Sequence, residues 1–251
     1  MKMRAFTALA AVGLIAAVLT LPASATGAER PSCPLPAFGP GSSYHPVIHP
    51  ADFSPTVTNP YFPLRPGTSY LYAGTKDGKQ ALDVVQVSQR TRWVAGVVTR
   101  VVNDRLFLDG VLEERTSDYY AQDRCGNVWY FGEDTAELDG TGRVVDTSGS
   151  FHAGVAGAQP GVYMQAHPQI GRWFRQEWYR GEAEDRFRAL SLTASVTVPY
   201  GTFRTALRTE ERTALEPGVI DNKYYVRGVG EVAELTVAGG AESLELVEVI
   251  R

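Results

Sequence analysis

Three patterns of apolar and polar positions follow one another along the chain. The first is a largely apolar run over positions 8–21, preceded by Lys2 and Arg4 and followed by Ala23, Ser24 and Ala25. It falls short of the roughly 20 residues that a bilayer-spanning helix needs. A basic start, a short apolar stretch and a small-x-small end predict an export signal over 1–25, cleaved near Ala25. No Arg-Arg pair precedes the run and no cysteine directly follows the small residues, so the expected product is secreted, extracellular or in the cell envelope, without a lipid anchor.

The second pattern is set by proline. Ten prolines lie between Glu29 and Pro66, a density that excludes both helix and central strand. Among them stand Tyr44, Phe53, Tyr61, Phe62 and Leu64, which predict that this leader, 26–66, lies extended along the body of the protein.

In the third pattern, from Gly67 onward, Val, Thr, Tyr, Phe and Trp recur with a period near two in short runs broken by Gly and Asp. Such runs are strands. Twelve are predicted: 69–73, 81–89, 97–103, 112–121, 128–131, 143–151, 173–179, 186–198, 203–213, 223–226, 232–237 and 244–250. Lys76-Asp77-Gly78, Asp109-Gly110 and Asp139-Gly140 join neighbours by tight turns, which implies antiparallel pairing. The Gly- and Pro-rich stretch 153–168 reads as the longest loop. The expected fold is therefore all-β, a large curved antiparallel sheet, half-barrel or sandwich-like, over 67–251.

An internal offset refines this picture. Gly67-Thr68-Ser69-Tyr70 precedes Gly171-Arg172-Trp173-Phe174 by 104 positions, Tyr119-Tyr120 precedes Tyr224-Tyr225 by 105, and Gly126-Asn127-Val128 precedes Gly230-Glu231-Val232 by 104. Two related meander units, 67–150 and 171–240, are expected, packed edge to edge or face to face.

Composition adds a covalent link and removes a class of partner. The apolar content, 44%, is that of a chain with a real core. Two cysteines, Cys33 and Cys125, read first as a disulfide in an exported chain, with two separate buried thiols as the alternative. Closing that loop is worth about 4–5 kcal/mol in the chain-entropy account. Neither cysteine belongs to a Cys-x-x-Cys pair, which argues against redox chemistry. Without Lys2 and Arg4, 22 basic residues face 28 acidic ones, a net charge of −6, and the two signs are interspersed. Nucleic acid is not an expected partner, and no later apolar run is long enough to span a membrane.

Reactive motifs are sparse. His45 and His49 with Asp52 have metal-like spacing, but Pro46 and Pro50 forbid the helix that would align the imidazoles. There is no Gly-x-Ser-x-Gly elbow and no Ser-x-x-Lys, and Gly228-Val229-Gly230 lacks a following helix, so it reads as a bend or bulge. No cofactor motif is present. What stands out is acids beside rings. Tyr120, Trp129, Glu133, Asp134, Glu177, Trp178, Tyr179 and Tyr225 are the candidate ligand-binding residues, because aromatic faces stack on sugars or cations and paired carboxylates can serve glycoside cleavage. Glu182, Glu184 and Asp185 are a candidate loop calcium set. Against this, alternating strands place rings in a core and acids outside with no ligand at all.

The runs Asn59-Pro60-Tyr61-Phe62-Pro63, Gly126-Asn127-Val128-Trp129-Tyr130-Phe131-Gly132-Glu133-Asp134 and Tyr224-Tyr225-Val226-Arg227-Gly228-Val229-Gly230-Glu231-Val232 together resemble a family of exported bacterial proteins to which no activity is assigned. The last run is also similar to one in cell-envelope proteins built as a curved sheet, including half-barrel lipoprotein carriers, a resemblance that implies an apolar ligand on the concave face. The expected function is a non-catalytic binding protein for a small apolar, glycan or envelope ligand, with no cofactor. A glycan-acting hydrolase and a structural or interaction protein of the envelope are the alternatives. Nothing in the chain sets the oligomeric state or the ligand.

Overall fold

The structure, a computed structural model, describes residues 33–251; the expected export signal, 1–25, lies outside the described residues. Sixteen strands and no α-helix occur among them. They are β1 (Phe53–Ser54), β2 (Ser69–Lys76), β3 (Lys79–Val94), β4 (Val97–Leu108), β5 (Val111–Asp123), β6 (Val128–Leu138), β7 (Val144–Asp146) and β8 (Phe151–His152). There follow β9 (Gln159–Met164), β10 (Trp173–Arg175), β11 (Glu177–Trp178), β12 (Arg186–Val198), β13 (Gly201–Arg212), β14 (Ile220–Val226), β15 (Gly230–Ala238) and β16 (Ser243–Ile250).

The tight turns follow from local chemistry. Asp77-Gly78, Ala95-Gly96 and Asp109-Gly110 all have positive φ at both residues, the geometry whose twist matches the strands on either side. Short turns force neighbours to pair antiparallel, so β2–β6 and β12–β16 each form a five-stranded meander. The two meanders join edge to edge through the β16–β2 ladder. β4 and β13 have bounds displaced by 104, and β3 and β12 end at Val94 and Val198, again 104 apart.

One six-residue stretch brings the sheet's outer edges together. Trp173–Arg175 pairs with β12, and after a single residue, Gln176, Glu177–Trp178 pairs with β9. The sheet is thus nearly closed and barrel-like. Gly161 permits the approach at this seam, since a Cβ there would lie 2.3 Å from the Gln176 carbonyl carbon. The stretch 153–168, expected as a loop, therefore carries β9; its Gly161 serves close strand contact, not a turn. The expected strand 143–151 forms only the short pairs β7 and β8. Polar residues 88–92, which lack hydrophobic alternation, nonetheless continue β3 as far as Val94.

Alternation produces two apolar layers. Tyr72, Val87, Val102, Tyr120, Tyr130, Leu207, Tyr225 and Leu246 belong to the cluster inside the barrel. Val97, Tyr119, Ala121, Trp129, Phe131, Phe174 and Phe187 face the other way, and Leu35, Ile48 and Phe53 of the leader pack on them. The expected disulfide, Cys33 to Cys125, fixes the start of this cover. Arg175 donates to the Gly39 carbonyl at 2.9 Å, and Arg100 to that of Pro55 at 3.2 Å.

The end of the leader turns inward. Val57, Tyr61 and Leu64 join the inner cluster, and Phe62 lies 4.6 Å from Tyr163 and 5.2 Å from Tyr120, ring centre to ring centre. Buried Asn59 fixes this plug, donating to the carbonyls of Gly126 at 2.8 Å and Gln165 at 3.1 Å and accepting from the Tyr61 amide at 2.9 Å. One end of the barrel is thereby stoppered from within the chain.

Candidate functional site

The barrel interior is not filled. A cavity of about 270 Å³ remains, walled at the stoppered end by Phe62, Pro63 and Leu64. Apolar and aromatic side chains alone do not line it. Asp83 on β3, Asp104 on β4, Asp118 on β5 and Glu133 on β6 face it from one meander; Glu211 on β13, Lys223 on β14, and Glu231 and Glu234 on β15 face it from the other. Glu177 on β11 and Asp185, just before β12, complete the lining acids. Nine carboxyl groups thus meet one ammonium.

Two irregularities decide which acids point inward. Asp118 stands opposite Glu133, but two residues along, Tyr120 stands opposite Tyr130, three residues from Glu133, so β6 carries an extra residue. A bulge of this kind re-aims the side chains that follow it. It falls at Gly132, whose φ of +150° and close approach to the Phe151 carbonyl oxygen, 2.4 Å from where a Cβ would stand, admit no side chain. As a result Glu133 faces the cavity and Asp134 faces out. A second register shift between Tyr224 and Tyr225 brings both Glu231 and Glu234, three residues apart, to the cavity.

Burial of so many acids with one cation dominates the electrostatics. Burial, with Asp104 next in effect, pushes Asp118 up to about 8, although the Tyr130 hydroxyl, donating to Asp118 at 2.6 Å, favours the ionised form. Burial likewise carries Glu231 to about 8 against the pull of Lys223. Asp83, Glu133 and Glu177 are held well above the carboxylate range, first by burial and then by neighbouring acids. Burial opposes the charge of Lys223, but Glu211, Glu234 and Glu231 outweigh it and hold the lysine well above its ordinary value. Its ammonium lies 3.4 Å from Glu211 and 3.5 Å from Glu234.

Two buried oxygens on the cavity wall accept no hydrogen bond, the Oδ1 of Asp83 and the Oε1 of Gln176, while the Asp83 carboxyl is itself hydrogen-bonded with that of Asp104. Asp83 and Gln176 are 7% and 3% exposed. The amide of Gln176 is oriented by its nitrogen, which donates to Glu211 at 3.2 Å, so the oxygen is the free end.

Of the residues singled out from sequence, Tyr120, Glu133, Glu177 and Asp185 line this cavity. Tyr225 is buried beside it and donates to Glu211 at 3.4 Å. Tyr179 packs half-buried against the inner cluster. Trp129 lies on the outer layer, its indole donating to Asp123 at 3.1 Å, and Trp178 lies under the leader, with Gly41 against its ring and the Arg175 guanidinium 4.6 Å away. Asp134, outside, binds Arg92 at 2.7 Å, His152 at 2.8 Å and the Tyr119 hydroxyl. Glu182 and Glu184 stay in an exposed turn, where Glu184 accepts from the Gly181 amide at 2.9 Å, so they do not meet Asp185 at a common point. Sequence reading passed over Asp83, Asp104, Glu211, Lys223 and Glu234. For Asp118 the available signal was an acid two positions before a buried ring, Tyr120.

A second hollow of about 600 Å³ adjoins the first, sharing Glu234 and Leu244, and is bordered by Lys76, Glu216, Asp221 and Glu242. No helix among the described residues is long and apolar enough to cross a membrane.

Neither a protein-family model nor a curated protein sequence matches the chain. Among solved structures, a candidate exported protein with a YmcC-like fold from Bacteroides fragilis is similar at 14% identity and a TM-score of 0.44, over 76% of this chain and 99% of that one. A candidate lipoprotein from Parabacteroides distasonis is similar at 12% identity and a TM-score of 0.40, over 76% of this chain and 98% of that one.

Proposed function

We propose that this is an exported, non-catalytic binding protein that holds a small polar ligand inside its barrel. The observation that carries the reading is the cavity itself, with nine carboxyl groups on its wall and two buried oxygens that accept no hydrogen bond. Buried polar groups are costly unless paired, so a wall of this kind is explained by a ligand that pairs them and not by packing. A purely apolar cargo would leave the acids and the two oxygens unsatisfied, and of the ligand classes considered from sequence the polar ones fit best. The disulfide between Cys33 and Cys125 supports an oxidising compartment outside the cytoplasm. Entry would be through the hollow that shares Glu234 and Leu244 with the cavity, since the opposite end is closed by the leader plug.

Native mass spectrometry of the protein recovered from its own secretion medium, compared with its denatured mass, tests the reading. A defined excess mass in the native spectrum, lost when Tyr120→Leu and Glu177→Gln are introduced together, supports it. A ligand retained undiminished by that variant would place binding elsewhere and overturn it.

A further inference from the structure

Two facts about the cavity go further than polarity. Its ionisable groups are one-sided, nine carboxyl groups against the single Lys223, and the two oxygens that accept no hydrogen bond stand on nearly opposite walls. Around the barrel, β3, which carries Asp83, is separated from β11, next to Gln176, by five steps one way, and from β10, on the other side of Gln176, by seven steps the other way. The Gln176 oxygen is an acceptor, and the Asp83 carboxyl, hydrogen-bonded with Asp104, becomes one when a cation at that wall draws off the proton between them. The missing partner is therefore a donor at each end of the hollow, joined by something that passes between the tyrosine rings of the wall.

We infer that the cavity takes a flexible organic cation with an ammonium group at each end, a linear diamine or polyamine, spanning from Asp83 to Gln176. The inference rests on the reading of the barrel interior as a ligand site and names the chemical class of that ligand. An ammonium group offers two or three donors and a positive charge. It can satisfy the Asp83 oxygen and its neighbour Asp104 at one wall, and the Gln176 oxygen with Glu177 at the other. The chain between lies against Tyr120 and Tyr163, whose faces attract cations and accept methylenes. The volume, about 270 Å³, holds about nine water-sized groups at roughly 30 Å³ each, the heavy-atom count of a linear diamine of about seven carbons.

A bare metal ion fits less well. Calcium takes six to eight oxygens at about 2.3–2.6 Å, so its ligands must converge. Among the described residues no three cavity carboxylates bring ligand oxygens within 4.8 Å of one another; the one group that meets this criterion is Cys33, Asp123 and Cys125, whose sulfurs are bonded to each other. The cavity acids are spread around the wall, which suits separated donors on a chain. Burial already holds Asp83 and Glu177 above the usual carboxylate range, the state expected of acids whose counter-charge is missing.

Calorimetric titration of the full secreted chain tests this directly. The probes are spermidine, linear diamines from diaminoethane to diaminooctane, a panel of neutral mono- and disaccharides, and calcium chloride. Diamine affinity is expected to pass through an optimum with chain length. Asp83→Asn and Gln176→Leu should each weaken the best amine about tenfold, the loss of one strong hydrogen bond, while Asp139→Asn in an outer turn should not. Should Asp83→Asn fail to fold, the length optimum of the parent and the Gln176→Leu variant decide the matter. Saccharide binding without amine binding overturns the cationic ligand and leaves the binding site standing. Calcium binding in preference to amines, or amine binding indifferent to length and to both variants, also overturns it. If no probe of any class binds and the secreted protein retains no ligand, both readings fail together.

Discussion

The Tyr130 hydroxyl donates to Asp118 across the β5–β6 ladder at 2.6 Å, while its ring stacks on Tyr120 at 4.8 Å. One side chain thus packs the inner apolar cluster and partners a cavity acid. Tyr130→Phe keeps the ring and removes the bond. It is expected to raise the pKa of Asp118 beyond about 8 and to cost about 1–2 kcal/mol. Carboxyl-carbon NMR titration and chemical denaturation read the two effects separately; an unchanged Asp118 titration would show that the bond does not shape the site.

Stability should fall as pH rises through the neutral range. In the unfolded chain Asp118 and Glu231 titrate near 4, whereas folding holds both at about 8, chiefly by burial. Between these values the unfolded state has released protons that the folded state retains. The contribution is therefore full below about pH 4 and is lost on the way to about pH 8. Asp134 and Glu210, held below their ordinary values despite burial by hydrogen-bonded and charged partners, act oppositely and only at lower pH. The melting temperature of ligand-free protein should be lower at pH 8 than at pH 5, and Asp118→Asn should flatten the slope. A melting temperature that climbs over this interval would contradict the assignment.

Gly132 is the position where backbone geometry sets the chemistry of the site. Gly132→Val would drive a side chain into the Phe151 carbonyl at a φ that L-residues avoid. Loss of 2 kcal/mol or more is expected, at about the level of other large single-site effects, together with weakened ligand binding as Glu133 is displaced. Thermal melts and titration of the variant measure both.

Replacing both Cys33 and Cys125 by serine should free the start of the leader while leaving the barrel closed. The expected loss is at most about 4–5 kcal/mol, the chain-entropy value for this loop. Limited proteolysis should then cut within 34–52, where much of the chain is exposed, and spare the strands. Cleavage within the strands at the same rate would mean that the barrel depends on its cover.

The two faces of β5 and β6 should behave differently toward ligand. Trp129→Phe changes the outer layer beneath Phe53 and is expected to leave affinity unchanged at some cost in stability. Tyr120→Leu changes the cavity wall and should weaken binding by about a factor of ten. Equal effects of the two on affinity would argue against the interior site.

Local patterns were enough to make this chain all-β and antiparallel, because period-two alternation and Asp-Gly turns act over a few residues. Cys33 and Cys125 were enough to pair the leader with the body. The acid and aromatic runs around Tyr120, Glu133 and Glu177 pointed toward the cavity wall, but alternation alone would have sent Glu133 and Asp134 to the wrong faces, since it takes no account of the extra residue at Gly132. Asp83 belongs to a run with no motif and Gln176 to the run around Glu177; what unites them is that strands far apart in sequence curve around one space. Alternation states that successive side chains face opposite ways. Which way is inward, and what stands across the hollow, is decided only when Trp173–Arg175 and Glu177–Trp178 draw the sheet's outer edges together and leave nine acids facing one lysine.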